Sequence, residues 1–178
     1  GAFEYQGQKC SAASRAYIPR SMWEDVKSRL GDMLATVKMG DVREFDNFVN
    51  AVIDEASFDN LAAYIHRAKQ SNDAEIVFGG ACDKSVGYYV QPTVILAKTP
   101  NYETMCDELF GPVLTIYVYP DGEYAETLQL VDRTAKYGLT GSIFSYDRYA
   151  TELALQTLEH AAGNFYINDK PTGAVVGQ

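Results

Sequence analysis

The chain has 178 residues, 47% of them apolar, which is enough to bury one substantial core and makes a single domain the default expectation. Its formal charge of −9 and pI near 4.6 would repel a phosphate backbone or an anionic membrane surface, so nucleic acid and membrane are set aside as partners. The longest apolar runs, such as Val113 to Tyr119, fall far short of the roughly 20 residues that a membrane-crossing helix needs.

In chain order, Ser14 to Ile18 reads as a short strand. Ser21-Met22-Trp23-Glu24 has the form of a capping box, with Ser21 accepting from a first-turn amide and Glu24 reaching back, so a helix is expected to start there. Apolar positions recur at Met22, Val26, Leu30, Met33, Leu34 and Val37 with helical period, and Gly40 is the expected stop. Ser57 precedes a second helix carrying Phe58, Leu61, Ile65 and Ala68, which runs to about Gln70. Strands are expected at Glu75 to Phe78 and Tyr88 to Leu96. The second half alternates more regularly: strand at Val113 to Tyr119, helix from Glu123 to Lys136, strand at Gly141 to Ser145, helix from Asp147 to Ala162, strand at Asn164 to Asn168. Short links between these elements predict parallel strands with right-handed crossovers. The fold class is therefore α/β, a Rossmann-like open twisted mainly parallel sheet with helices on both faces. Such sheets bind ligands beyond the carboxyl ends of their strands, so the loops after the strands are the expected place for chemistry.

Three cysteines, Cys10, Cys82 and Cys106, are widely spaced without a CxxC pair, which argues against a disulfide framework and against zinc. His66 and His160 lie in helix-like segments with no second ligand nearby, so no metal is expected. Cys10 sits in Gly7-Gln8-Lys9-Cys10-Ser11-Ala12-Ala13-Ser14, a run of small and polar residues. If Ser11 to Ser14 form a helical turn, its free amides and Lys9 favour the thiolate. On local composition alone, a small packed thiol is the better reading.

Family motifs reverse that preference. Gln6-Gly7-Gln8-Lys9-Cys10-Ser11 resembles the nucleophile segment of the aldehyde dehydrogenase superfamily, a GQ-x-C pattern followed by small residues. Glu108-Leu109-Phe110-Gly111-Pro112 is similar to its E-x-F-G-P motif, Tyr137-Gly138-Leu139-Thr140 to its Y-G-L-T turn, and Gly163 to Asn168 to its G-x-x-x-x-N strand. These four signatures stand in family order and, with Gly87 to Thr93, cover essentially the whole chain. Val52-Ile53-Asp54 and the string from Asn164 to Gln178 resemble the Δ1-pyrroline-5-carboxylate dehydrogenase branch, which oxidises glutamate γ-semialdehyde to glutamate in proline degradation.

The resemblance implies an NAD-dependent oxidoreductase in which Cys10 attacks the aldehyde carbon and passes through a thiohemiacetal and a thioester. It implies that Glu108 accepts from the nicotinamide-side ribose hydroxyls and that Phe110 packs beside the nicotinamide. A solvated carboxylate and a core phenylalanine are the plain alternatives. It further implies that the Ser11 hydroxyl and the amides of Gly173 and Ala174 receive the substrate's α-carboxylate, although other members have serine where Ala174 stands. A simple turn after a strand is the alternative for Thr172-Gly173-Ala174. No GxGxxG or P-loop pattern occurs, and both ends of the chain look cut. Residues 1–178 are therefore expected to be the cysteine-bearing catalytic domain, with the general base, the NAD-binding domain and an oligomerisation segment outside it, and with no dehydrogenase activity of its own. By resemblance the full-length protein forms a homo-oligomer, in the mitochondrial matrix of a eukaryote or the cytoplasm of a bacterium. Two other readings stay open, the same domain tuned to another aldehyde and a non-catalytic binding module.

Overall fold

The computed structural model describes residues 1–172. A 3-10 turn at Glu4–Gly7 leads into β1 (Arg15–Pro19), α1 (Arg20–Ala35), α2 (Glu55–Gln70), β2 (Ala74–Phe78), β3 (Cys82–Asp83), β4 (Tyr89–Val90) and β5 (Thr93–Ala97). Then follow α3 (Glu103–Cys106), β6 (Val113–Tyr119), α4 (Tyr124–Thr134), β7 (Thr140–Ile143), α5 (Arg148–Thr157) and β8 (Asn164–Ile167). The main sheet has the order β1-β6-β5-β2. β1, β6 and β5 are parallel, and β2 closes one edge antiparallel to β5.

Side-chain alternation along β5 and β6 divides the core into two layers, because successive residues of a strand point to opposite faces. Ile95 and Val113 pack with Phe58, Leu61, Ile65 and Ala68 of α2. Val94, Leu114 and Ile116 pack on the other face with Phe3 and with Trp23 of α1. Leu61 and Ile65 are fully buried, each contributing about 1.5–3 kcal/mol through burial. The apolar stripe predicted for the second helix is thus the face that covers the sheet. Among the described residues, no helix is long and apolar enough to cross a membrane.

The helix ends differ from expectation in an instructive way. Ser21 is not a cap: α1 starts one residue earlier, and the Ser21 amide and hydroxyl both donate to Asp121 Oδ1, at 3.0 and 2.5 Å. A carboxylate from the loop after β6 therefore caps the helix across 100 positions of sequence. The helix stops at Ala35 rather than at Gly40, where Thr36 turns its hydroxyl back to the Met33 carbonyl. α2 begins before Ser57, because Asp54 is its cap and accepts from the Ser57 amide at 2.8 Å.

The sheet is also smaller than expected. Tyr88 to Leu96 is not one strand: Gln91-Pro92 divides it into β4, which pairs with β3, and β5. β7 and β8 are parallel to each other but form a separate two-stranded sheet. With α4 and α5 they enclose a core of their own around Leu128, Ala154 and Leu158. Asn168 extends that pair with its side chain, accepting from the Ser145 amide and donating to the Ser145 carbonyl.

Candidate active site

Cys10, Ser11, Glu108 and Phe110 gather at the amino ends of β1 and β6, not beyond carboxyl ends. Cys10 lies five positions before Arg15, and the segment from Glu108 to Pro112 runs straight into Val113. The carboxyl ends of these two strands instead deliver the chain to α1 and to the loop holding Asp121. The rule for open parallel sheets fails here because the reactive segments enter the sheet rather than leave it.

Cys10 is exposed, which removes the reading of a packed thiol. It occupies the centre of a β-turn closed by the Ala12 amide on the Lys9 carbonyl at 3.0 Å, and Ser11 to Ser14 do not form a helical turn. Among the described residues, no carbonyl accepts from the Cys10 amide. Ser11, half-buried, stands beside it, and its carbonyl lies 3.4 Å from the Thr140 hydroxyl. Lys9 Nζ reaches Glu4 at 3.2 Å, and this hydrogen bond holds the Glu4 carboxyl below its ordinary range. The ammonium next to Cys10 is therefore already engaged.

The approach to Cys10 is built from left-handed backbone. Tyr5, Gln6 and Gly7 have φ of 59°, 58° and 65°, a conformation costing about 1–2 kcal/mol at each non-glycine residue. Specific contacts hold it. The Gln6 amide donates to the Ala51 carbonyl at 3.2 Å, and the Ile53 amide donates to Gln8 Oε1 at 2.9 Å. Both glutamines of the nucleophile motif thus fasten it to the segment that leads into Asp54, the cap of α2. Gly7 itself is buried against Gly111.

Glu108 and Phe110 are exposed on the link between α3 and β6, with buried Leu109 between them. Phe110, another non-glycine residue in the left-handed region with φ of 54°, has its ring partly open to solvent. A cleft runs between this link and the nucleophile turn, walled by Lys9, Ala12 and Ser14 on one side and by Glu108, Phe110 and Asp107 on the other. Phe110 is not in the core, whereas Glu108 is a solvated carboxylate, as its plain alternative has it, on the wall of this cleft.

Sequence reasoning missed the residues that hold this link. Asp107 accepts from the Tyr64 hydroxyl at 2.9 Å, which pushes the Tyr64 phenol above its ordinary value. Arg67 binds Glu103 in a bidentate pair. Tyr64 and Arg67 stand three apart on α2, so helical spacing puts them on one face, but nothing local names their partners. Gly173 and Ala174 lie outside the described residues. Thr172, just before them, is buried.

The sequence pattern of the aldehyde dehydrogenase family matches residues 1–178. The chain belongs to the aldehyde dehydrogenase family. Within the family it is similar to the mitochondrial Delta-1-pyrroline-5-carboxylate dehydrogenase of Dictyostelium discoideum, 62% identical over 178 residues, which are 100% of this chain and 32% of that protein. Among solved structures it resembles the Delta-pyrroline-5-carboxylate dehydrogenase of Mycobacterium tuberculosis bound with NAD. The TM-score is 0.90 at 45% identity, covering 100% of this chain and 32% of that one. Another aldehyde dehydrogenase, the lactaldehyde dehydrogenase of Escherichia coli, matches with a TM-score of 0.87 at 26% identity over 97% of this chain and 35% of that one. The chain therefore spans about a third of the length of the relatives it matches.

Proposed function

We propose that this chain is the nucleophile-bearing catalytic domain of an NAD-dependent dehydrogenase that oxidises L-glutamate γ-semialdehyde to L-glutamate. The observation that carries the reading is the exposed Cys10 at the tip of a turn whose flanking residues Lys9 and Ala12 line a cleft with Glu108 and Phe110. Its choice of substrate rests on similarity to relatives named Delta-1-pyrroline-5-carboxylate dehydrogenase.

As thiolate, Cys10 adds to the aldehyde carbon, forming a C–S bond while the carbonyl π pair moves to oxygen. The Cys10 amide, from which no described carbonyl accepts, would donate to that oxyanion. The other wall of the cleft would hold NAD: the exposed Glu108 carboxylate would accept from the ribose hydroxyls and the open Phe110 ring would pack beside the nicotinamide. Bound there, NAD supplies the hydride acceptor that makes the two-electron oxidation of the carbon possible. Water then breaks the Cys10 thioester, returning the thiol and releasing the carboxylic acid. The Ser11 hydroxyl, with the Gly173 and Ala174 amides, takes the α-carboxylate at the remote end of the substrate.

The general base and the remaining cofactor contacts belong to residues beyond these 178, in keeping with relatives about three times as long. The 178 residues alone are expected to produce no NADH. The full-length protein would work as a homo-oligomer, in the mitochondrial matrix where its source is eukaryotic, a reading supported by the word mitochondrial in the Dictyostelium relative's name, and in the cytoplasm of a bacterium.

The test is turnover of the full-length protein. Cys10→Ser should abolish NADH formation, and glutamate semialdehyde should be preferred to simple aliphatic aldehydes by at least about 100-fold in kcat/KM. A preference for aliphatic aldehydes would reassign the substrate. Undiminished activity in Cys10→Ser would remove the nucleophile.

A further inference from the structure

We infer that Tyr64 and Arg67 of α2 are positioning residues for Glu108, and that they set how tightly the ribose hydroxyls of a dinucleotide are held at the cleft. This rests on the reading of Glu108 given above.

Glu108 follows α3 by two residues, and α3 is only four residues long. A helix so short has no stability of its own, because nucleation costs more than one turn of hydrogen bonds returns. Its aim must come from what it is fastened to. Underneath, Thr104 and Met105 are buried, and the Thr115 hydroxyl of β6 meets the Thr104 hydroxyl at 2.8 Å. Outside, α2 grips both ends. At the first residue, Arg67 Nε and a terminal guanidinium nitrogen reach the two carboxylate oxygens of Glu103 at 2.9 and 3.0 Å. At the other end, the Tyr64 hydroxyl donates to Asp107, the residue next to Glu108. The Arg67 guanidinium also lies 4.2 Å from the centre of the Tyr64 ring, so the two grips brace each other. α2 is a firm base for them, since Leu61 and Ile65 on its inner face are fully buried.

The grips are solvent-accessible, with Arg67 and Glu103 side chains 48% and 33% exposed. Such pairs add only about 0–1 kcal/mol to stability. Their loss should therefore leave the fold standing and change mainly the direction of Glu108. A carboxylate that must accept two hydrogen bonds at once is sensitive to displacements of about 1 Å. A lysine at position 67 keeps the charge but not the fork that fixes Glu103.

The experiment uses the full-length protein with Tyr64→Phe, Arg67→Met, Arg67→Lys, Glu108→Gln and the double variant Tyr64→Phe/Glu108→Gln. Equilibrium NAD binding, KM for NAD, KM for the aldehyde and Tm are measured for each. Tyr64→Phe and Arg67→Met should raise the NAD Kd about 3- to 10-fold with the aldehyde KM unchanged and Tm within about 2 °C of the parent. Arg67→Lys should fall between Arg67→Met and the parent. The double variant should bind NAD no more weakly than Glu108→Gln alone, because Tyr64 acts through Glu108. An unchanged Kd in Tyr64→Phe, with a weakened one in Glu108→Gln, overturns the inference and leaves the Glu108 assignment standing. Full additivity in the double variant overturns it as well. An unchanged Kd in Glu108→Gln overturns the Glu108 assignment and this inference together.

Discussion

A Cβ added to Gly7 would stand 2.2 Å from the carbonyl oxygen of Gly111. A Cβ on Gly111 would in turn stand 2.4 Å from Cδ2 of the fully buried Leu61. The backbone before Cys10 thus rests on the backbone after Glu108, and that rests on the core side of α2. Gly7→Ala meets both obstacles, a left-handed φ of 65° and a backbone atom that cannot swing aside. It should cost about 2–4 kcal/mol by chemical denaturation and lower turnover by at least about 100-fold, since the turn bearing Cys10 must shift. A stable Gly7→Ala protein with parental turnover would show that the two segments need not touch.

The hydroxyl pair Thr104–Thr115 offers a second check, because both residues are buried and each supplies the other's hydrogen bond. Thr115→Val strands the Thr104 hydroxyl and should cost about 1–3 kcal/mol. Removing both hydroxyls, in Thr104→Val/Thr115→Val, should cost less than the sum of the two single changes. A double-mutant cycle by urea denaturation reads the difference, and strict additivity would mean the bond contributes nothing.

Thiol chemistry distinguishes the three cysteines. Cys10 is exposed, whereas Cys82 and Cys106 are half-buried, and burial pushes the Cys82 thiol above its ordinary value. At pH 7, Cys82 therefore holds less thiolate than a free cysteine, and an alkylating reagent should modify Cys10 at least about 10-fold faster. Because its thiol is pushed up, the Cys82 rate should go on climbing with pH beyond the ordinary thiol range, where a free thiol levels off. Mass spectrometry of timed iodoacetamide reactions gives all three rates, and equal rates at Cys10 and Cys82 would contradict the assignment.

How much could be read from the sequence depended on how far each contact reaches along the chain. β6 appears at its expected bounds because seven β-favouring residues in a row need no outside information. α2 ends at Gln70 as its apolar spacing predicts. Ser21 misled because the local signature of a capping box was present while the partner in space, Asp121, was 100 residues away. The parallel pairing of β7 with β8 was legible, but not their separation from the main sheet, which depends on how two cores pack. At the site, the motifs named Cys10, Ser11, Glu108 and Phe110, yet no motif contains Tyr64 or Arg67. The left-handed conformations of Tyr5, Gln6 and Phe110 were equally hidden, since none of these residue types announces a positive φ. Gln6 and the residues that follow it, Gly7 and Gln8, meet Ala51, Gly111 and Ile53, partners that only the folded chain brings into reach.

The placement of Asp121 on the first turn of α1 marks a division of labour along the sheet. β6 separates the Glu108 link from Asp121 by about 23 Å at the usual rise per residue. One rim of the sheet is given over to reactive segments under backbone strain, and the opposite rim to a helix tied down by a borrowed carboxylate. Gly122, on that quiet rim, has no heavy atom of the described residues, its chain neighbours aside, within 4 Å of where a side chain would begin. It is the natural point at which to graft a peptide tag or a fluorescent reporter, because the graft would grow away from the chemistry and spare the residue that caps α1.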